Sequence, residues 1–168
     1  MKLTFVTVAV LSLAMFGCGR KAPEKVAEEI IEKQMAKDGI KGSVNLSENA
    51  MTIQTKEGTA SIASEKNAKV PETFPKDVLM YSGATVLSTI TVPQGFNLTL
   101  ETTDSIDTVA AGFKSKMKEN GWSSFMEMNQ GGSMILMFQK EKEKRSVNLN
   151  LTQSDGKTQV NLTVMQEK

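Results

Sequence analysis

Residues 146–166 read SVNLNLTQSDGKTQVNLTVMQ. Apolar and polar residues alternate on both sides of Asp155-Gly156, and an Asp-Gly pair favours a two-residue hairpin turn because both of its positions need a positive φ. Such a turn sets Ser154 against Lys157, and with it Leu151 against Val160, Leu149 against Leu162 and Val147 against Val164. All of these apolar side chains then lie on one face. The other face carries Asn148, Asn150, Thr152, Gln159, Asn161 and Thr163, uncharged hydrogen-bonding groups suited to water. An antiparallel sheet with one buried face follows.

Working toward the N-terminus, Lys140 and Arg145 bracket a charged four-residue loop that sets Phe138 against Val147 and Leu136 against Leu149. A three-residue loop at Gln130-Gly131-Gly132 sets Met128 against Met134 and Met126 against Leu136, adding another strand to the same apolar face. Before it, Ile106, Val109, Ala110, Phe113 and Met117 recur at helical spacing; Asp104 is placed to cap this helix and Gly121 to end it. Earlier still, Val86, Ser88, Ile90 and Val92 alternate up to Pro93-Gln94-Gly95, and Phe96, Leu98 and Leu100 alternate after it. A three-residue loop there pairs Val92 with Phe96 and Ile90 with Leu98.

The expected class is α+β: a curved antiparallel sheet in the order ββαββββ with one helix on one face, preceded by an N-terminal helix and a small β-meander. Six strands span about 29 Å, whereas a helix with its side chains covers about 10–12 Å. One helix cannot cover that face. Either the sheet curls around it, or Phe74, Val78 and Tyr81 cover the rest, or an apolar groove stays open as a ligand site.

Toward the start, Val26, Ala27, Ile30, Ile31 and Met35 recur at helical spacing and Gly39 closes the run, so a short amphipathic helix is expected, packed on its own protein or lying on a bilayer. SVNLSENAMTIQTKEGTASIAS, residues 43–64, reads as three short strands, and SEKNAKVPETFPKD, residues 64–77, as a linker with two prolines. The chain divides into 1–17 (export signal), 18–42 (Cys18 and helix), 43–63 (meander), 64–77 (linker) and 78–168 (α+β domain).

The first of these segments combines Lys2, an apolar run from Leu3 to Phe16 and small Gly17, the three parts of an export signal. The run is shorter than the ~20 residues of a membrane span. Its end, Ala14-Met15-Phe16-Gly17-Cys18, resembles the lipobox of bacterial lipoproteins. The resemblance implies cleavage before Cys18, a diacylglycerol on its thiol and an acyl chain such as palmitate on the new amino terminus. It also accounts for a lone cysteine in an exported chain, which otherwise needs explaining. Each buried methylene contributes about 0.8 kcal/mol, so two or three chains anchor where one would not. Gly19, rather than the aspartate associated with inner-membrane retention, favours the periplasmic side of the outer membrane.

Lys2 is the only charged residue in the export segment, so its removal leaves 19 basic and 19 acidic side chains. That balance argues against nucleic-acid binding, which would need a basic stripe. The chain contains no histidine and its single thiol is committed to the anchor, which excludes Ser–His–Asp and Cys–His catalysis and histidine zinc sites. Asp104 and Asp107 at a helix start are read as capping groups rather than an acid–base pair. No enzyme activity and no cofactor are expected.

FMEMNQGGSMILMF, residues 125–138, holds four methionines, a composition that invites copper(I) binding through thioethers. The register above sends Met126, Met128 and Met134 into the core and Met137 to the other face, so packing is preferred, no metal site is expected, and copper ranks third. Phe125, Ile135 and Met137 gather among the polar residues of the outer face. Such a cluster is either covered, here by the meander of residues 43–63, or docks a protein partner.

FPKDVLMYSGATV (74–86), FNLTLETTDSIDTVAAGFKSKMKENGW (96–122) and the Asp-Gly hairpin resemble a group of bacterial lipoproteins of unassigned function. The shared features are Phe74-Pro75-Lys76-Asp77, Tyr81-Ser82-Gly83-Ala84, a capped helix from Asp104 to Asn120, and Gly121-Trp122. The order of elements is also similar to helix-grip modules of lipoproteins that accompany outer-membrane assembly complexes, an analogy of fold that carries no function. The lipoprotein resemblance implies a fold and an address but no activity. The expected role is a membrane-anchored, non-enzymatic protein-binding or assembly-accessory module with the bilayer and an envelope protein as partners. The alternative is a carrier of a small apolar ligand or lipid in a groove between sheet and helix.

Overall fold

The computed structural model describes residues 24–46, 49–55, 58–64 and 68–167. The export segment, Cys18 and Gly19 lie outside the described residues. From the N-terminus the elements are α1 (Glu24–Lys37), β1 (Lys41–Asn45), β2 (Ala50–Thr55), β3 (Gly58–Ser64), β4 (Thr85–Val92), β5 (Gly95–Thr102), α2 (Ile106–Glu119), β6 (Ser123–Gln130), β7 (Ser133–Lys140), β8 (Arg145–Ser154) and β9 (Lys157–Gln166). The strands form one antiparallel sheet in the order β1-β2-β3-β4-β5-β9-β8-β7-β6. After β5, α2 crosses the sheet to its far edge, and β6, β7 and β8 step back until β9 closes on β5. This is an α+β fold with two helices and a large antiparallel sheet, as expected, but all nine strands join that one sheet.

The last two hairpins follow their turn chemistry. Asp155 and Gly156 take φ of 53° and 75°, the left-handed values an Asp-Gly turn requires, and Ser154 faces Lys157. Lys140 faces Arg145 across a short 3-10 turn at Glu141–Glu143. Leu149, Leu151, Leu162, Leu136 and Phe138 consequently share the inner face, where α2 lays Val109, Ala110, Phe113 and Met117 on them, all buried.

Several expectations are corrected. The meander is not a separate piece folded over the outer face: β3 pairs with β4, from Ser61↔Thr91 to Ser64↔Ser88, and extends the main sheet. The edge of β4 would otherwise present a row of unpaired backbone groups, and β3 satisfies them. Six strands thus become nine, and the meander sits at the opposite edge from β6.

Two hairpins are one residue tighter than the sequence pattern implied. At the first, Val92 faces Gly95 across Pro93-Gln94, so Thr89 rather than Ile90 opposes Leu98. Gly95 belongs to the strand because a Cβ there would lie 2.0 Å from the Val164 carbonyl oxygen. Thr89 is buried and donates its hydroxyl to the Lys69 carbonyl at 3.0 Å, so the inward polar group is satisfied. A bulge between Val86 and Ser88 returns Val86 to the inner face, opposite Leu100.

At the second, Gln130 faces Ser133 across Gly131-Gly132, whose φ values of 41° and 93° make a two-residue turn. Met126 therefore opposes Met137 and Met128 opposes Ile135, while Glu127 opposes Leu136. The one-residue slip sends the side chains from Met126 to Gln130 to the other face, and the bulge between Ser124 and Met126 keeps Ser124 opposite Phe138. Met126 and Met128 are exposed on the outer face, and Met134 alone of this group enters the core.

The start of α2 also differs: Ser105, not Asp104, is its N-cap and accepts from the Thr108 amide at 3.3 Å. Asp104 instead accepts a 2.7 Å hydrogen bond from the Tyr81 hydroxyl. At the other edge, α1 packs on β1 through buried Met35, while Val26, Ile30 and Ile31 remain exposed. Glu32 and Glu28 of α1 accept from the Val44 and Leu46 amides, at 3.0 and 2.7 Å, occupying edge donors of the sheet.

Candidate functional site

The inner face of the sheet is wider than α2, and the segment from Ala68 to Ala84 covers what the helix leaves. Phe74 meets Phe96 edge to face at 5.4 Å, Val78 is buried, and Tyr81 stacks on Phe113 at 6.0 Å. Phe74, Val78 and Tyr81 therefore supply the cover beside the helix, one of the three ways to close the face. Leu98, Phe113, Met117 and Leu149 are fully buried where helix meets sheet, so any ligand groove lies outside that interface.

The segment is pinned at Asp77. Its carboxylate accepts a bidentate pair from Arg145, 2.9 Å to each oxygen, and a further bond from Lys140. Its backbone carbonyl accepts from Trp122 Nε1 at 2.9 Å and from Asn120 Nδ2 at 3.0 Å. Trp122 is buried, with Arg145 Cζ 4.9 Å and Lys140 Nζ 5.2 Å from its ring centroid. Partial burial pushes the Asp77 carboxyl up, but hydrogen bonds and charge from Arg145 and Lys140 outweigh it and hold the group at about 2. The hydrogen bond to Asp104 pushes the Tyr81 hydroxyl up. Asp77 is thus a structural staple joining the crossing segment, the exit of α2 and the β7–β8 turn.

Between this pinned segment and the C-terminal half of α2 lies a groove of about 360 Å³. Val70, Pro71, Phe74, Val78, Leu79 and Met80 give it an apolar lining, with Lys76, Lys116 and Asn120 beside them. Lys116 is paired with Glu119 at 2.6 Å. The volume falls in the range that holds a small ligand. A second depression of about 410 Å³ between α1 and β1 is lined by Glu24, Lys25, Glu28, Ser43, Val44 and Asn45 and lacks such an apolar lining.

The residues singled out from sequence as a partner surface are on the outer face or at its edge. Ile135 and Met137 are half-buried, and Phe125, 52% exposed, sits at a bulge between Ser124 and Met126. The tighter turn adds Met126 and Met128 to that face, an enlargement the assumed three-residue loop concealed. The Asp77 staple went unrecognised. Its members were visible as Phe-Pro-x-Asp, Gly-Trp and a charged loop, but no spacing in the chain joins them.

A family description, START domain-like, matches residues 81–165, from Tyr81 through nearly all of β9. No curated protein and no solved structure matches the chain.

Proposed function

The chain belongs to the START domain-like family, and from that membership we propose that it is a non-enzymatic carrier of a small apolar ligand or lipid, tethered to the envelope membrane through Cys18. The observation that carries the reading is the groove of about 360 Å³ between the Asp77-pinned segment and α2, apolar along Val70, Phe74, Leu79 and Met80. Lys76 beside it favours a ligand with an anionic head, such as a single acyl chain ending in a carboxylate. The lipobox-like Ala14–Cys18 after the apolar run supports the tether, and Gly19 supports the outer membrane as its address. The absence of histidine from the sequence supports a binding rather than a catalytic role.

The test is native mass spectrometry of the chain purified from its membranes, followed by titration with a fluorescent fatty acid. A copurifying lipid, and binding weakened at least tenfold by Met80→Asp, are expected. No bound lipid and no fatty-acid binding would reject carriage. A second reading, docking of an envelope protein on the outer face, is favoured by the exposure of Phe125. A photoreactive amino acid at position 125 that yields a discrete intermolecular adduct in cells is its expected signature.

A further inference from the structure

We propose that Met126, Met128 and Met137 form a thioether site for one soft monovalent cation, copper(I), on the outer face of the β6–β7 hairpin. The inference does not depend on the ligand groove. It arises from the Gly131-Gly132 turn, because only the two-residue form puts these three side chains on one face. Met126 lies directly opposite Met137, and Met128 is the next outward residue of β6, diagonal to Met137. Directly opposed residues hold their Cβ atoms about 4.5–5.5 Å apart and diagonal ones about 7–8 Å. Three rotatable bonds per methionine let the sulfurs converge across that triangle.

The surroundings select the ion. Thioether sulfur is a soft, uncharged ligand that prefers copper(I) to hard divalent ions. Glu127, the acidic residue between two of the methionines, opposes Leu136 on the inner face and pairs with Lys114 of α2 at 3.0 Å. The neighbouring outward residues of β8, Asn148 and Asn150, are neutral. Among the described residues, no group of three or more His, Cys, Asp or Glu competes for a metal.

The site is also open. Met126 and Met128 are 41% and 42% exposed, and β1 to β3 lie at the opposite edge of the sheet. The Gln130 amide donates to Met128 Sδ at 3.4 Å, which orients that sulfur and leaves it a second lone pair. Packing explains Met117 and Met134, which are buried in the core; it does not explain three methionines gathered at a solvent-facing edge.

The experiment titrates the full chain carrying Cys18→Ser, in detergent, with silver(I) as a redox-inert stand-in and then with copper(I) under ascorbate. Native mass spectrometry gives stoichiometry, and methionine-methyl NMR gives location. One ion per chain is expected, moving the methyl signals of Met126, Met128 and Met137 and leaving those of Met134 and Met165 in place. Met137→Leu should weaken binding at least tenfold, and the triple leucine variant should abolish the one-to-one adduct. No adduct on the unsubstituted methionines, an ion that moves the Met165 signal instead, or a folded triple variant binding within twofold of the parent would each overturn the assignment.

Discussion

Replacing Asp77 with asparagine keeps the shape of the side chain and removes the charge that Arg145 and Lys140 share. Asp77 is held at about 2 against an ordinary value of 3.8; at about 1.36 kcal/mol per tenfold, that difference corresponds to roughly 2.4 kcal/mol. The side chain is 29% exposed, so screening by water reduces the contribution to about 1.5–2 kcal/mol. A carboxyl whose value is lowered by folding contributes fully above its unfolded value of 3.8 and loses that contribution as the pH falls through about 2. Urea unfolding of the parent and of Asp77→Asn at about pH 6, 4 and 2 follows this window. At pH 6 the variant should be less stable by about 2–3 kcal/mol, because two cations, each only 14% exposed, are left together against Trp122. The gap should close to within about 0.5 kcal/mol near pH 2, where the native carboxyl is itself half neutral or more. A gap that stays constant with pH, or no gap at pH 6, would refute the view that charge at Asp77 pins the crossing segment.

Three further outcomes are expected. Gly95→Ala places a Cβ 2.0 Å from the Val164 carbonyl oxygen and 3.0 Å from Met165 Sδ, so it should cost at least about 2 kcal/mol by forcing β5 away from β9; a loss under about 0.5 kcal/mol in urea unfolding would contradict the strand register. Phe113→Ala removes a fully buried ring that also stacks on Tyr81 and should cost about 3–5 kcal/mol in the same assay, with a small loss indicating a face less tightly covered than described. Cys18→Ser should abolish incorporation of labelled palmitate into the chain in cells, and equal labelling of parent and variant would remove the lipid tether from the proposed function.

The sequence by itself determined what short-range chemistry dictates. Asp155-Gly156 favours a tight turn with two positive φ values, so the register of β8 with β9 was legible in the sequence. The spacing of Val109, Phe113 and Met117 likewise announced which side of α2 would be buried. Ile135 and Met137 were legible as outward-facing apolar residues because their neighbours on β8, Asn150 and Asn148, are polar.

Tertiary structure decided the rest. Gly131-Gly132 and Pro93-Gln94-Gly95 fit a loop of two residues or three, and a single residue reverses which side of a strand is core. At β5 the choice follows from the backbone of β9, which leaves no room for a Cβ at Gly95. At β6 it turns Met126 and Met128 from supposed core into an exposed face beside Met137. The pairing of β3 with β4, and the meeting of Asp77 with Trp122, Lys140 and Arg145, join residues far apart in the chain. Local pattern reports which side of an element is apolar; which elements become neighbours depends on the edges and faces the whole fold must satisfy.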